Sequence, residues 1–258
     1  MMNKWEGIVI RSIPYGESNS IVTLYTKEAG KVTAMARGAK KPRSKLVAVT
    51  QLFTYGSYLI RKGRGMGTLE QGEQINSMRF IREDLEAMAY TSYIVEIVDR
   101  LTEENERRQG VYTLLYEALN AINEQYDPEA ISLFVEWKML TVGGIHPILH
   151  ECAHCHATEG EFAFSFRAIG FICHRCFHTD KYSVRITPNQ LKLIRTFATV
   201  PISSVGDLTL KKETKMFLKK IVRTIYDEQL GVYFKTRAFL DQLETSPNLL
   251  PIKKAPKE

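Results

Sequence analysis

Two short motifs, Cys152-Ala-His-Cys155 and Cys173-His-Arg-Cys176, contain all four cysteines of the 258-residue chain. Seventeen residues, 156–172, separate the two pairs, and this spacing falls within the range of zinc ribbons. Four thiolates from two such turns can surround one tetrahedral Zn²⁺, so the sequence predicts one structural zinc ion per chain. The predicted ligands are Cys152, Cys155, Cys173 and Cys176. A shell of four cysteines leaves no open position for water, which argues against a catalytic metal.

Two other interpretations of the cysteines stay open. Two disulfides would need an oxidising compartment, and the N-terminal residues contain no apolar run of the kind that directs export. A histidine could replace one cysteine in a Cys₃His shell, since all six histidines of the chain lie in or beside this region. They are His146, His150, His154, His156, His174 and His178.

Composition is that of a globular protein, with 44% hydrophobic and 25% charged residues. The length favours two domains, at about 150 residues per domain. No apolar run approaches the ~20 residues needed to cross a bilayer. We therefore expect a cytoplasmic protein with no membrane partner.

The formal net charge of +6 is concentrated in one part of the chain. Residues 1–80 contain 13 Lys and Arg against 5 Glu and no Asp, and no acidic residue lies between Glu28 and Glu70. A basic region of this kind indicates a polyanion partner, although a solvated basic face without a ligand is the simpler alternative. The predicted nucleic-acid-binding residues are Lys31, Arg37, Lys40, Lys41, Arg43, Lys45, Arg61, Lys62 and Arg64.

Residues 1–76 have the pattern of β structure. Short runs rich in Val, Ile, Thr and Tyr alternate with turn residues and predict strands at 5–11, 20–26, 31–37, 50–62 and 68–75. The loop at 38–45 carries four bases together with Gly, Pro and Ser. Five strands with basic loops fit an OB-type barrel, although an SH3-like barrel is also compatible. Half of the strand aromatics Tyr25, Phe53, Tyr55 and Tyr58 should face outward, where they could stack on bases.

From about Met78 the hydrophobic period changes to about 3.6 and predicts helices. The predicted helices cover about 78–101, 111–122, 128–142, 188–197 and 211–230. Asp127-Pro128 and Thr187-Pro188 are start signals for two of them, and Gly143-Gly144 is a stop signal. The predicted fold class is α+β. An OB-type barrel at 1–77 precedes an α-helical domain at 78–245, which carries the zinc module at about 146–182, and a flexible tail covers 246–258.

A second basic feature lies in the last predicted helix. Its bases have the spacing i, i+3, i+7 and i+11 and should line one helix face. This possible auxiliary basic face comprises Lys212, Lys215, Lys219 and Arg223. A solubilising surface is the alternative interpretation.

Motifs for catalysis are absent from the sequence. It contains no GxxxxGK[ST] loop, no HExxH helix and no GxSxG turn. The glycine-rich run 63–67 joins two predicted strands and so lacks the strand-to-helix context of a dinucleotide site. The residues therefore predict a binding protein and not an enzyme.

Several segments resemble the bacterial recombination mediator family RecO, over nearly the whole chain to about Leu243. They are Tyr15-Gly16-Glu17-Ser18, Thr26-Lys-Glu-Ala-Gly30-Lys31, Ala36-Arg-Gly38-Ala39-Lys40 and Gly143-Gly144-Ile-His-Pro147, followed by the two CxxC motifs. The resemblance implies an N-terminal OB fold and a helical domain that carries the zinc module. It also implies binding to single- and double-stranded DNA and annealing of complementary strands.

The same resemblance implies protein partners. These are RecR and the acidic C-terminal tail of the single-stranded-DNA-binding protein, with RecA as an indirect partner that is loaded onto coated single strands. An RNA- or ribosome-associated protein with an OB fold and a zinc ribbon is the alternative, because it would have a similar charge and pattern.

Overall fold

A closed barrel of five strands forms the N-terminal part of the computed structural model, which describes residues 1–63, 65–206 and 209–245. The strands are β1 (Met2–Tyr15), β2 (Asn19–Thr26), β3 (Gly30–Ala36), β4 (Tyr55–Arg61) and β5 (Gly67–Asn76). Their order is β1-β2-β3-β5-β4, and only the β3–β5 pair is parallel. This arrangement is of OB type and confirms the predicted barrel.

The barrel interior is filled by β-branched and aliphatic side chains that alternate along the strands. Val9, Val22, Leu24, Val32 and Ile60 are buried in one cluster. A bulge in β1 between Val9 and Arg11 shifts its register against β2. Such a bulge bends the strand, which helps the sheet close into a barrel.

The strand aromatics are not available to stack on bases, because Tyr25, Phe53, Tyr55 and Tyr58 are all buried. Phe53 lies in the turn before β4 and not in a strand. The outer side of Tyr55 is covered by a helix, since its ring lies 5.0 Å from that of Tyr116. Alternation along a strand does not reveal which outward positions a helix will cover.

A short helix, α1 (Leu46–Val49), precedes β4 and was not predicted. The hydroxyl of Tyr58, inside the barrel, donates to the Val49 carbonyl oxygen at 3.1 Å. Leu46 and Val49 are both buried in the barrel core, so this helix closes one end of it. The fourth strand consequently begins at Tyr55 and not at residue 50 as predicted.

Three helices follow the barrel, and a fourth helix of the same unit lies later in the chain. They are α2 (Arg79–Glu83), α3 (Leu85–Leu101), α4 (Gln109–Asn123) and α8 (Lys235–Thr245). Asp84 divides the first predicted helix in two, because its backbone is extended and its carboxylate caps α3 by accepting from the Ala87 amide at 2.8 Å. The sequence did not predict α8. Residues 1–128 and the described residues from Phe234 onward form one compact unit.

The second compact unit covers Glu129–Tyr233. It contains α5 (Pro128–Val142), β6 (Phe162–Ser165), β7 (Gly170–Cys173), β8 (Val184–Ile186), α6 (Pro188–Thr199) and α7 (Lys212–Ile225). The three strands form an antiparallel sheet of order β7-β6-β8. Thr187 caps α6 with a capping box, as the Thr-Pro start signal indicated.

The predicted domain boundary near residue 77 marks the change from strands to helices and stays a prediction. The predicted flexible tail, 246–258, lies outside the described residues. In the part of the chain that the structure describes, no helix is long and apolar enough to span a membrane.

Candidate nucleic-acid interface and metal centre

The basic loop, residues 37–45, follows β3 and is held in place by hydrogen bonds to the β1–β2 hairpin. The Gly38 amide donates to Oδ1 of Asn19 at 2.8 Å, and the Lys40 amide donates to the Ser18 carbonyl at 2.9 Å. Gly38 has a φ of +66°, in the left-handed region that favours glycine. The loop is therefore anchored to the barrel at defined points.

All five bases of this loop are exposed: Arg37, Lys40, Lys41, Arg43 and Lys45. None of these side chains has a hydrogen bond or ion pair to another of the residues that the structure describes. Five uncompensated positive charges on one anchored loop attract phosphate groups electrostatically, with little dependence on base sequence. The loop is the candidate nucleic-acid interface.

The predicted DNA-binding residues on β4 and in the following turn differ in whether their side chains are free to contact DNA. Nε of Arg61 donates to the Glu70 carboxylate at 2.7 Å, so its charge is compensated. Nζ of Lys62 donates to Oδ1 of Asn105 at 2.5 Å and lies 5.0 Å from the Trp5 ring centroid. Arg64 lies outside the described residues. Among the described residues, Lys62 has no acidic partner, and its ammonium lies beside an aromatic ring.

Lys31 was predicted to bind DNA, but the structure places it in a structural ion pair. Only 9% of the residue is exposed. Its ammonium donates to the Asp99 carbonyl oxygen at 2.6 Å and lies 3.2 Å from the Asp99 carboxylate. Arg11 adds a weaker contact to the same carboxylate at 3.7 Å. Lys31 therefore joins β3 to α3 and is omitted from the candidate interface.

Replacing Lys31 with methionine is expected to lower the free energy of unfolding by ~2 kcal/mol, since Asp99 would lose its closest cationic partner in a largely buried position. Duplex DNA affinity should change less than twofold. Urea unfolding and fluorescence anisotropy measure the two effects. Lys45→Met is the matched control and should leave stability unchanged, because Lys45 is exposed. Equal stability of the two variants would contradict the structural role of Lys31.

The predicted auxiliary face on α7 is not one exposed basic row. Glu129, in the first turn of α5, accepts from Lys219 at 2.5 Å and lies 3.2 Å from Nζ of Lys215. The side chains of both lysines are largely buried, Arg223 is half-buried, and Lys212 is exposed. The periodicity correctly placed the bases on α7, but the acid that neutralises two of them comes from a distant helix.

The four cysteines converge at one point of the second unit. Their sulfur atoms all lie within 4.8 Å of one another. Cys152 and Cys155 lie in the turn before β6, Cys173 ends β7, and Cys176 lies in the 3₁₀ helix His174–Thr179. Pairing of Phe162 with Cys173 across β6 and β7 brings the second motif back to the first. The predicted cluster is confirmed, and its geometry suits a single metal ion.

Sulfur hydrogen bonding within the cluster favours a thiolate at Cys152. Burial alone opposes ionisation, but the amides of Cys155, Cys173 and His154 donate to this sulfur and lower its pKa to about 6. Burial and the neighbouring sulfurs raise the pKa of Cys176 to about 12. Thiolates packed this closely repel one another, and a divalent cation removes that repulsion.

The alternative ligand sets find no support among the described residues. The metal-binding group consists of the four cysteines and includes no histidine. Nδ1 of His156 instead lies 2.7 Å from the Glu151 carboxylate, which raises the pKa of His156. The sulfur atoms of Cys155 and Cys173 lie 3.4 Å apart, well beyond the length of a disulfide bond, and all four thiols are free.

Sequence reasoning missed one candidate binding residue, Tyr15. It selected aromatics within the strands, whereas Tyr15 ends β1 next to the Gly16 turn and is 54% exposed. A large aromatic residue directly before a glycine turn was the available signal, since loop and hairpin ends lie at the surface.

Comparison with protein families decides the family. The model described as "Recombination protein O N terminal" matches residues 1–78, and the one described as "Recombination protein O C terminal" matches residues 82–238. The chain belongs to the RecO family. The N-terminal and the C-terminal regions of the family are therefore both present in this chain, in that order.

Relatives of the RecO family match almost the whole chain. The DNA repair protein RecO of Bacillus subtilis is 49% identical over 250 residues, which are 97% of this chain and 98% of that protein. The proteins of the same name from Halalkalibacterium halodurans and Listeria welshimeri are 46% and 44% identical, over 95% and 96% of this chain and 96% and 98% of their own lengths.

Proposed function

We propose that this RecO-family protein is a non-enzymatic mediator of DNA repair and homologous recombination that binds single- and double-stranded DNA. The observation that carries the proposal is the anchored loop 37–45 with its five exposed, uncompensated bases. Contacts to phosphates alone suit a protein that must bind DNA of any sequence. The relatives, named DNA repair proteins, support DNA over the RNA- or ribosome-associated alternative.

The proposal extends to annealing and partner binding. Complementary strands repel each other through their phosphates, and a surface of five cations reduces that repulsion while leaving base edges free to pair. Partners in the proposal are RecR and the acidic C-terminal tail of the single-stranded-DNA-binding protein. Through them the protein would help RecA load onto coated single strands. Cytoplasmic, nucleoid-associated localisation follows from this role.

We further propose that the ion bound by the cysteine cluster is Zn²⁺, with one ion per chain. Four thiolates form the closed tetrahedral shell of a structural zinc site. The four ligands come from the turn before β6, the end of β7 and the adjoining 3₁₀ helix. The ion would brace this small module, and the proposal assigns it no part in catalysis.

The test of the DNA-binding proposal is the variant Lys40→Ala/Lys41→Ala/Arg43→Ala. Each phosphate contact contributes ~0.9 to the slope of log K against log[salt] on duplex DNA. Loss of three contacts should therefore reduce the slope by about 2 to 3 and weaken binding at least about tenfold at ~0.1 M salt. Anisotropy titration with several unrelated duplex sequences should give the same loss for each sequence.

The matched control is Lys181→Ala/Lys192→Ala/Lys220→Ala, which removes the same formal charge from exposed positions in the second unit. Its salt slope should equal that of the unchanged protein. Equal salt slopes for the two triple variants would show that DNA does not bind at the basic loop and would contradict the proposed interface.

A further inference from the structure

The β1–β2 hairpin and the basic loop form one continuous surface. Tyr15 pairs with Asn19 across the hairpin, and the side chain of Asn19 accepts the hydrogen bond from Gly38 that anchors the basic loop. Tyr15 is 54% exposed. Tyr15 is therefore the cross-strand partner of Asn19, the residue that anchors the basic loop.

An apolar stripe extends from Tyr15 across the outer face of the barrel. Ile13, two residues before Tyr15, points to the same side of β1 and is 46% exposed. It pairs with Ile21, which in turn pairs with Met35 on β3. Ile21 and Met35 are half-buried. The three apolar side chains thus form a row over three neighbouring strands, with an aromatic ring beside its first member.

Charge around the stripe is unequal at its two sides. Arg37 follows Met35 by two residues and begins the basic loop, so that side is strongly positive. The turn beside Tyr15 carries one acid, Glu17. On the opposite side, Arg11 lies 3.7 Å from Asp99 and is partly neutralised. A ligand that matches this surface has flat apolar groups and a negative backbone along one edge.

We propose that Tyr15, together with the stripe Ile13–Ile21–Met35, stacks on unpaired bases and gives the interface a preference for single-stranded over double-stranded DNA. In a duplex the base faces are already stacked on one another, so only the phosphates reach the basic loop. In a single strand the base faces are available, and stacking on an aromatic side chain is tolerant of sequence. OB-type barrels use this outer face of strands 2 and 3 for oligonucleotides. The inference rests on the proposed DNA-binding function.

The experiment compares three probes of equal length: a thymidine oligonucleotide, the same strand with abasic sites, and a duplex. Tyr15→Ala should weaken binding to the thymidine strand about tenfold, within the range that stacking contributes. Binding to the abasic strand and to the duplex should change less than twofold. Tyr15→Phe keeps the ring and should bind all three probes as the unchanged protein does.

The matched control is Tyr182→Ala, which removes an 86% exposed tyrosine from the second unit and should affect none of the probes. Because Tyr15 is exposed, its variants should melt at the temperature of the unchanged protein. Equal loss on the thymidine and abasic strands, or no loss on either, would overturn the stacking role alone. Failure of the unchanged protein to bind any probe would instead overturn the proposed function.

Discussion

Replacing Cys152 with serine is expected to abolish metal binding and to unfold the module that contains β6 and β7. Cys152 is fully buried, and its sulfur accepts from the Cys173 amide at 3.3 Å. A structural zinc site contributes ~10–16 kcal/mol of apparent folding free energy in small modules, comparable with the whole stability of a domain. The zinc content measured by elemental analysis should fall from about one equivalent per chain to below about one tenth of an equivalent.

His156→Gln is the control for this prediction, since His156 lies beside the cluster and contacts Glu151. It should retain a full equivalent of zinc and the melting temperature of the unchanged protein. Retention of zinc by Cys152→Ser would contradict the four-cysteine site. Loss of zinc in His156→Gln would instead restore the Cys₃His alternative.

Replacing Gly30 with alanine is expected to destabilise the unit that contains the barrel by ~3 kcal/mol, from steric overlap and from a strained backbone. A Cβ at this position would overlap the backbone carbonyl oxygen of Glu106, and Gly30 has a φ of +68°. The segment that contains Glu106 covers the edge of β3, since the Asn105 amide donates to the Lys31 carbonyl at 2.8 Å. Urea unfolding measures the loss.

Gly16→Ala is a matched control because it separates strain from overlap. Gly16 has a similar φ of +60°, but a Cβ there would meet no atom within 4 Å. This variant should lose only ~1 kcal/mol, the cost of placing alanine in the left-handed region. Similar losses for both variants would show that the segment near Glu106 moves away without cost, and would contradict its role as the cover of the β3 edge.

The cysteine cluster and the helix bounds that sequence reasoning predicted correctly depend on residues close together in the chain. Two CxxC turns are local structures, and the strand pattern between them was sufficient to predict that they meet. The bounds of α5 were also predicted from local signals, Asp127-Pro128 at one end and Gly143-Gly144 at the other. Capping and turn residues act over three or four positions, so their effect can be read without the fold.

The features that it missed depend on partners distant in the chain. Lys31 is paired with Asp99 and Lys219 with Glu129. A basic residue in the sequence looks the same whether it faces solvent or an acid on another element. Likewise α1 contains the β-branched residues typical of strands, and its helical form depends on packing against the barrel end.

The sequence by itself predicted the cysteine cluster, the barrel and the concentration of positive charge between Glu28 and Glu70. Tertiary structure decided which of those charges are available, because ion pairs and burial join residues that are far apart in the chain. It also showed that the strand aromatics are buried, whereas Tyr15 is exposed and is the candidate for stacking on bases. That choice required knowledge of which faces of the barrel are covered by helices, and no local pattern carries that information.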